Sequence, residues 1–307
     1  MDSNAPTDQR EPVAVSLDHV TKLYRGGAGV HDLNLSIRVG EVFGFLGPNG
    51  AGKTTTIRLI LDLIRPSSGT IQVFGLDSRE DCVAIHRRIG YLPGDLALYE
   101  RLSAREILSH FAHLRGGLAW SSVDKYVQTF DLDIDRPVRT LSKGNRQKVG
   151  LVAAMMGDPD FLVLDEPTSG LDPLVQLQVR TELRRAAKEG RTVLLSSHDL
   201  AEVGEMADRV GLIRAGRLIA IEEVAQLQQR SAHLVEVKFR TPQDVSEITA
   251  LPGVTSHSLD GPILHLEVAG DINPVVALLA KRDLDDLSIR EPTLEELFLK
   301  FYGATRD

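Results

Sequence analysis

The sequence is poor in thiols, with Cys82 the single cysteine among 307 residues. One thiol excludes an internal disulfide and a cysteine-rich zinc site. No histidine-bearing motif surrounds Cys82, so it reads as a filler residue and not as a nucleophile. Long apolar runs are missing as well. Nowhere do about 18 apolar residues stand together, so no segment is expected to span a bilayer, and any membrane role falls to a partner. Positive charge is in deficit: 35 Lys and Arg face 43 Asp and Glu, a formal net charge of -8. That balance speaks against a general nucleic-acid binder, because phosphate backbones draw basic faces. Internal repeats and low-complexity tracts are absent. Met1 to Pro12 has neither the basic start nor the apolar run of a signal peptide and carries Asp2, Asp8 and Glu11, so residues 1–12 are expected to form a flexible tail.

What remains is an ordinary globular balance, 42% hydrophobic and 25% charged, long enough for two domains. Val13 to Val20 and Leu33 to Ile37 alternate like half-buried strands, and Val42 to Leu46 is a short apolar run that suits a buried one. Thr54 to Ile64 is apolar enough for a buried helix stopped by Pro66 and Gly69. Glu100 to Asp135 turns helical and more polar, as an insertion would. Phe161 to Leu164 and Thr192 to Leu195 are further buried strands, separated by a helix from Pro173 to Glu189, and Arg209 to Ile221 reads as a hairpin turning at Ala215-Gly216. Strands alternating with helices imply an α/β fold with a mostly parallel sheet. Past Arg230 the texture changes. Strands at His233–Arg240, Val254–Leu259, Ile263–Val268 and Leu287–Glu291, with helices at Gln243–Leu251 and Asn273–Arg282, give the order β-α-β-β-α-β of a ferredoxin-like unit. A last helix is expected at Leu294–Phe301. The division expected is a domain over 13–230 and a small α+β C-terminal domain over 231–307.

Gly47-Pro48-Asn49-Gly50-Ala51-Gly52-Lys53-Thr54 matches the P-loop pattern. Its glycines let backbone N–H groups turn toward phosphate oxygens, Lys53 adds a positive charge at the β- and γ-phosphates, and the Thr54 hydroxyl can ligate Mg²⁺. The helix that follows aims its positive dipole end at the same phosphates. Alone this is a flexible loop with a surface lysine; the strand leading in and the helix leading out make it a phosphate cradle. Phe161 to Leu164 then ends in two acids. Asp165 at the strand tip can hold Mg²⁺, and Glu166 beside it can polarise an attacking water. Without the cradle, two acids here would be a solvated strand end.

These motifs together resemble the ABC ATPase family, a P-loop NTPase cassette, over residues 13 to 230. Leu141-Ser142-Lys143-Gly144-Asn145 is similar to the family signature LSGGQ, keeping Leu, Ser and the second Gly and departing at Lys143 and Asn145. Ser169-Gly170-Leu171-Asp172 resembles its D-loop. By the resemblance, Ser142 and Gly144 reach the γ-phosphate held by a second copy, and His198 contacts the γ-phosphate and organises the attacking water. Tyr24 stacks on adenine, and Thr55 joins the P-loop residues in binding nucleotide. On the residues alone, Ser142 is a helix N-cap, His198 a structural histidine and Tyr24 half-buried packing. The family's usual Gln after a strand such as Ile89–Leu92 is here Gly94, followed by Asp95. A glycine ligates nothing, which leaves Asp95, a water or a different coupling. Glu291 to Leu299 resembles the C-terminal extension of drug- and antibiotic-export ATPases of the ABC-2 type.

The resemblance implies an ATPase using ATP and Mg²⁺, a dimer that sandwiches two ATP molecules, and a separately encoded permease on which the helical insertion docks. It places the chain in the cytoplasm, peripheral on the inner face of the cell membrane, with no nucleic-acid partner. The alternative is a soluble ABC ATPase not linked to transport. Translation-type members carry two cassettes in one chain and repair-type members a long coiled coil, and this sequence has neither. A non-catalytic ATP sensor is disfavoured because Lys53, Asp165, Glu166 and His198 stand together.

Overall fold

The structure is a computed structural model and describes residues 12–229, 232–241, 243–292 and Glu296. Residues 1–11 of the tail expected over 1–12, and all but Glu296 of the helix expected at Leu294–Phe301, lie outside the described residues. The chain divides into two compact units, Met1–Glu222 and Glu223–Asp307.

In the first unit β2 (Gly29–Arg38) buries alternate residues, as a strand with one solvated face does, while β1 (Val13–Leu23) breaks the alternation at register shifts. They pair antiparallel, and with β4 (Ser68–Val73) and β5 (Leu76–Asp77) they form a four-stranded sheet of order β2-β1-β4-β5. The second sheet carries the site. Its strands β3 (Val42–Leu46), β6 (Ile89–Leu92), β7 (Phe161–Asp165), β8 (Thr192–Ser197), β9 (Arg209–Arg214) and β10 (Arg217–Glu223) run in the order β10-β9-β3-β8-β7-β6. Neighbours from β9 through β6 are parallel. Every residue of β3, β7 and β8 is buried, which is why these stretches are mostly apolar, with Asp165, Thr192, Ser196 and Ser197 as the polar exceptions at strand ends. A strand order that leaves chain sequence opens crevices beyond the strand ends, where ligands bind in such sheets.

Seven helices connect these strands: α1 (Lys53–Ile60), α2 (Cys82–His86), α3 (Ala104–Leu114), α4 (Trp120–Thr129), α5 (Lys143–Met155), α6 (Pro173–Lys188) and α7 (Leu200–Gly204). The helix expected to reach Ile64 stops at Ile60. Asp62 adopts the left-handed conformation with φ 49°, and the N–H groups of Leu63 and Ile64 fold back onto the Arg58 carbonyl at 2.9 and 3.3 Å. The backbone thus caps itself ahead of Pro66. The helical insertion holds α3 and α4, and α3 begins at a Ser103–Glu106 capping box. Asp172 caps α6 by accepting from the Val175 N–H at 3.1 Å, with Pro173 in the first turn.

The second unit runs α8 (Val224–Gln229), β11 (His233–Phe239), α9 (Ser246–Thr249), β12 (Val254–Asp260), β13 (Ile263–Val268), α10 (Asn273–Leu279) and β14 (Leu284–Arg290). Its sheet is antiparallel with order β12-β13-β11-β14. Val235, Val237 and Phe239 of β11 and Leu264, Leu266 and Val268 of β13 point to one face, where Ile248, Val275 and Leu279 of the two helices cover them. The last strand starts at Leu284, three residues before the expected Leu287, because Leu284 and Asp286 continue the ladder opposite Phe239 and Lys238. An ion pair of Lys238 Nζ with Asp285, at 2.5 Å, offsets the charge placed in the strand.

Candidate functional site

Between β3 and α1 the chain makes a tight loop over Gly47–Gly52. Gly52 caps α1 at φ 113° and Gly50 sits at φ 79°, both in the region that favours glycine. Gly47 is required for a different reason, since a Cβ there would lie 2.3 Å from the Ile213 carbonyl oxygen. Lys53 folds back into this loop and is only 6% exposed. Its ammonium donates to the Gly47 carbonyl at 2.5 Å and lies 3.6 Å from Glu166 Oε1.

The carboxylates come from the end of β7. Asp165 is buried, at 1% exposure, and is fully engaged. Thr54 Oγ1 donates to its Oδ2 at 2.7 Å, and Ser196 Oγ of the neighbouring strand donates to its Oδ1. Glu166 leaves the strand at φ 52°, a left-handed conformation that costs a non-glycine residue energy and turns its side chain away from that of Asp165. Its N–H donates to Ser196, reaching O and Oγ each at 3.2 Å, and Gln147 Nε2 donates to its carbonyl at 3.1 Å. The Glu166 carboxylate then sits between Lys53 and His198, whose Nδ1 is 2.9 Å from Oε2.

The cleft over this floor has a volume of about 380 Å³. Of the expected nucleotide residues, Tyr24, Pro48, Asn49, Gly50, Ala51, Gly52, Lys53, Thr54 and Thr55 line it, with Asp165 and Glu166, and Gly47 takes part through its carbonyl. Tyr24 is 43% exposed at its edge, with Lys22 Nζ over the ring at 5.7 Å from its centroid. Gly94 and Asp95 line the cleft as well. A Cβ at Gly94 would lie 3.1 Å from Asp165 Oδ2, so this position faces the carboxylate directly. Nearby, burial and then the charge of Asp165 push the Tyr91 phenol above its ordinary value, which keeps it a neutral donor.

Ser142 and Gly144 do not line this cleft. Ser142 caps α5, accepting from the Asn145 N–H at 3.2 Å, and Gly144 lies against the Gly170 carbonyl, which a Cβ would approach to 2.8 Å. The signature-like and D-loop-like segments of one chain therefore pack on each other and not on that chain's own phosphate loop. Two site residues escaped the sequence reading. Ser196 was findable, because it stands opposite Asp165 in the parallel ladder. Gln147 carried no local signal.

A buried parallel sheet, a glycine loop onto a helix N-terminus and a strand-end carboxylate bonded to the loop's threonine define a P-loop nucleoside triphosphatase. The relatives narrow this. Residues 30–169 match the ABC transporter family. The chain is 33% identical over 300 residues to YhcH, an uncharacterized ABC transporter ATP-binding protein of Bacillus subtilis (strain 168), across 95% of this chain and 97% of that one. It is 34% identical over 308 residues to the daunorubicin resistance ATP-binding protein DrrA3 of Streptomyces coeruleorubidus, across 95% and 97%. A solved structure of an ATP-binding subunit of an ABC transporter superposes with a TM-score of 0.65 at 27% identity, covering 70% of this chain and 92% of that one. The chain belongs to the ABC transporter family as an ATP-binding subunit, an ATPase that powers transport.

Proposed function

We propose that two copies of this chain close on two ATP molecules at the cytoplasmic face of a membrane and drive a separately encoded permease that exports a drug-like or lipid-like substrate. The carrying observation is that Ser142 and Gly144 stand outside their own chain's cleft, while the helix they open directs its positive dipole end, which suits an anion, away from that cleft's phosphate loop. A second copy brings such an end to each γ-phosphate. Export follows the daunorubicin resistance relative. Among the described residues no helix is long and apolar enough to cross a membrane, in keeping with a separate permease. An apolar groove of about 380 Å³ beside the helical insertion, lined by Leu63, Tyr91, Pro93, Leu96 and Phe111 among others, offers that permease a seat. Residues 13–230 act as the nucleotide-binding domain and 231–307 as a ferredoxin-like accessory domain.

In the chemistry, backbone N–H groups of Gly50 to Thr54 and the Lys53 ammonium hold the β- and γ-phosphates. The oxygen pair of Thr54 and Asp165 fits Mg²⁺, a hard cation bound through one or two protein oxygens plus phosphates. When bound there, Mg²⁺ supplies charge neutralisation at the phosphate oxygens. Glu166 accepts the proton of a water whose oxygen attacks the γ-phosphorus while the bond to the ADP oxygen breaks. His198 holds the far oxygen of that carboxylate. The experiment is E166Q, which keeps shape and loses the base. Gel filtration with Mg²⁺ and ATP should show a trapped dimer without hydrolysis. A monomeric E166Q beside a dimeric wild type refutes the scheme.

A further inference from the structure

Gln147 lies on α5, five residues beyond the cap Ser142, and is 7% exposed. Both hydrogens of its amide are spent on one turn: Nε2 is 3.1 Å from the Glu166 carbonyl and 3.1 Å from the Pro167 carbonyl. That turn is the one whose φ of 52° aims the Glu166 carboxylate between Lys53 and His198. A left-handed non-glycine residue persists only where its surroundings hold it. Two segments outside the turn hold its backbone. Ser196 of β8 takes the Glu166 N–H, and Gln147 of α5 takes the carbonyls on either side of the proline peptide. Pro167 has no N–H of its own, and the turn's internal tie is the Ser169 N–H, which donates to the same Glu166 carbonyl at 3.2 Å.

We propose that Gln147 is a positioning residue for ATP hydrolysis, clasping the Glu166 turn to the helix whose first turn bears Ser142 and Gly144. The proposal rests on the role given to Glu166 above. From Ser142 to Gln147 the helix rises roughly 7 Å, at about 1.5 Å per residue, a stiff span with no glycine beyond Gly144. The end gripped by a neighbouring copy's nucleotide and the turn holding this copy's water-positioning carboxylate are thus one rigid body. Nucleotide at one site sets the aim of the base at the other.

The test uses the full chain and two substitutions of similar length. Q147M keeps the packing and removes both donors; Q147K restores donors through an ammonium. Q147M should lower kcat roughly tenfold, with KM for ATP and the affinity for a fluorescent ATP analogue within about twofold of wild type. Q147K should recover most of the lost turnover. Should Q147M fail to fold, Q147H keeps one donor and its turnover should fall below that of both wild type and Q147K. Turnover of Q147M near wild type, a Q147K as slow as Q147M, or a loss of nucleotide affinity matching the loss of kcat each overturns the proposal. E166Q assayed alongside separates the failures. Turnover surviving in E166Q removes the role of Glu166 and the proposal with it, whereas an inactive E166Q beside fully active Gln147 variants removes only the proposal.

Discussion

Replacing Asp158 by Ala tests how the helical insertion is fixed to the ATP-binding core. Asp158 Oδ1 accepts from the Tyr126 hydroxyl of α4 at 2.6 Å, from Arg191 Nη1 at 2.8 Å and from Lys125 Nζ at 3.0 Å. Tyr126 is fully buried, and the Arg191 side chain, at the entrance to β8, is 7% exposed. D158A leaves the hydroxyl without its acceptor at a cost of about 1–3 kcal/mol, while Arg191 keeps Glu189 and loses one charged bond. The sum is about 2–4 kcal/mol, and the lower half applies because the Asp158 side chain itself is 48% exposed. For a unit of this size each kcal/mol moves the melting temperature by about 2–4 °C, so D158A should melt roughly 4–12 °C lower. K125A removes only the solvent-side partner and should cost less than about 1 kcal/mol. Thermal melts of the two variants decide it, and equal shifts would refute the network. The pH dependence has a fixed sign. Burial raises the Asp158 carboxyl, but Tyr126, Lys125 and Arg191 outweigh it and hold it below its ordinary value. The stability it contributes is therefore present above the unfolded-state value and is lost as pH falls through the lower folded value. The gap between wild type and D158A should close in acid and not in base.

Lys53 is the charged group of the phosphate loop, so K53A should abolish turnover and weaken ATP binding, read by steady-state hydrolysis and nucleotide titration; wild-type turnover would sink the P-loop assignment. At Gly94 an added Cβ meets Asp165 Oδ2 at 3.1 Å, and Asp165 cannot retreat because Thr54 and Ser196 hold it. G94A should therefore raise the Mg²⁺ needed for half-maximal ATP binding by about fivefold, the equivalent of about 1 kcal/mol; an unchanged Mg²⁺ midpoint would show that the loop yields.

The legible parts of the site were those written in one contiguous stretch. Gly47 to Thr54 and Phe161 to Glu166 each place backbone and side chain within a single strand and turn, so spacing alone carries the geometry. Gln147 and the Asp158 cluster were illegible for the opposite reason. Gln147 meets carbonyls 19 and 20 residues away, and Asp158 gathers partners 32 and 33 residues to either side, contacts that exist only once the sheet is assembled. A buried glutamine in a helix has no pattern of its own, because what it bonds is another segment's backbone. The same holds for element ends: α1 stops at Ile60 through a backbone cap, and β14 starts at Leu284 through pairing with β11, neither of which apolar periodicity reports.

The departures in the signature-like segment follow from what each position supplies. Ser142 gives a hydroxyl to the Asn145 N–H, and Gly144 gives the lack of a side chain where Gly170 O would meet a Cβ at 2.8 Å. These two are kept. Position 145 is used through its N–H, which Asn provides as well as the family's usual Gln. Lys143 stands where the family has glycine, yet its stem lies along Gly170 and its Nζ reaches Ser169 Oγ at 3.4 Å. It therefore braces the signature-like segment on the D-loop-like segment of its own chain, while Ser142 stays exposed at the start of α5. A sequence match scored letter by letter counts Lys143 and Asn145 as two losses; counted by the contacts each position makes in this chain, neither removes one.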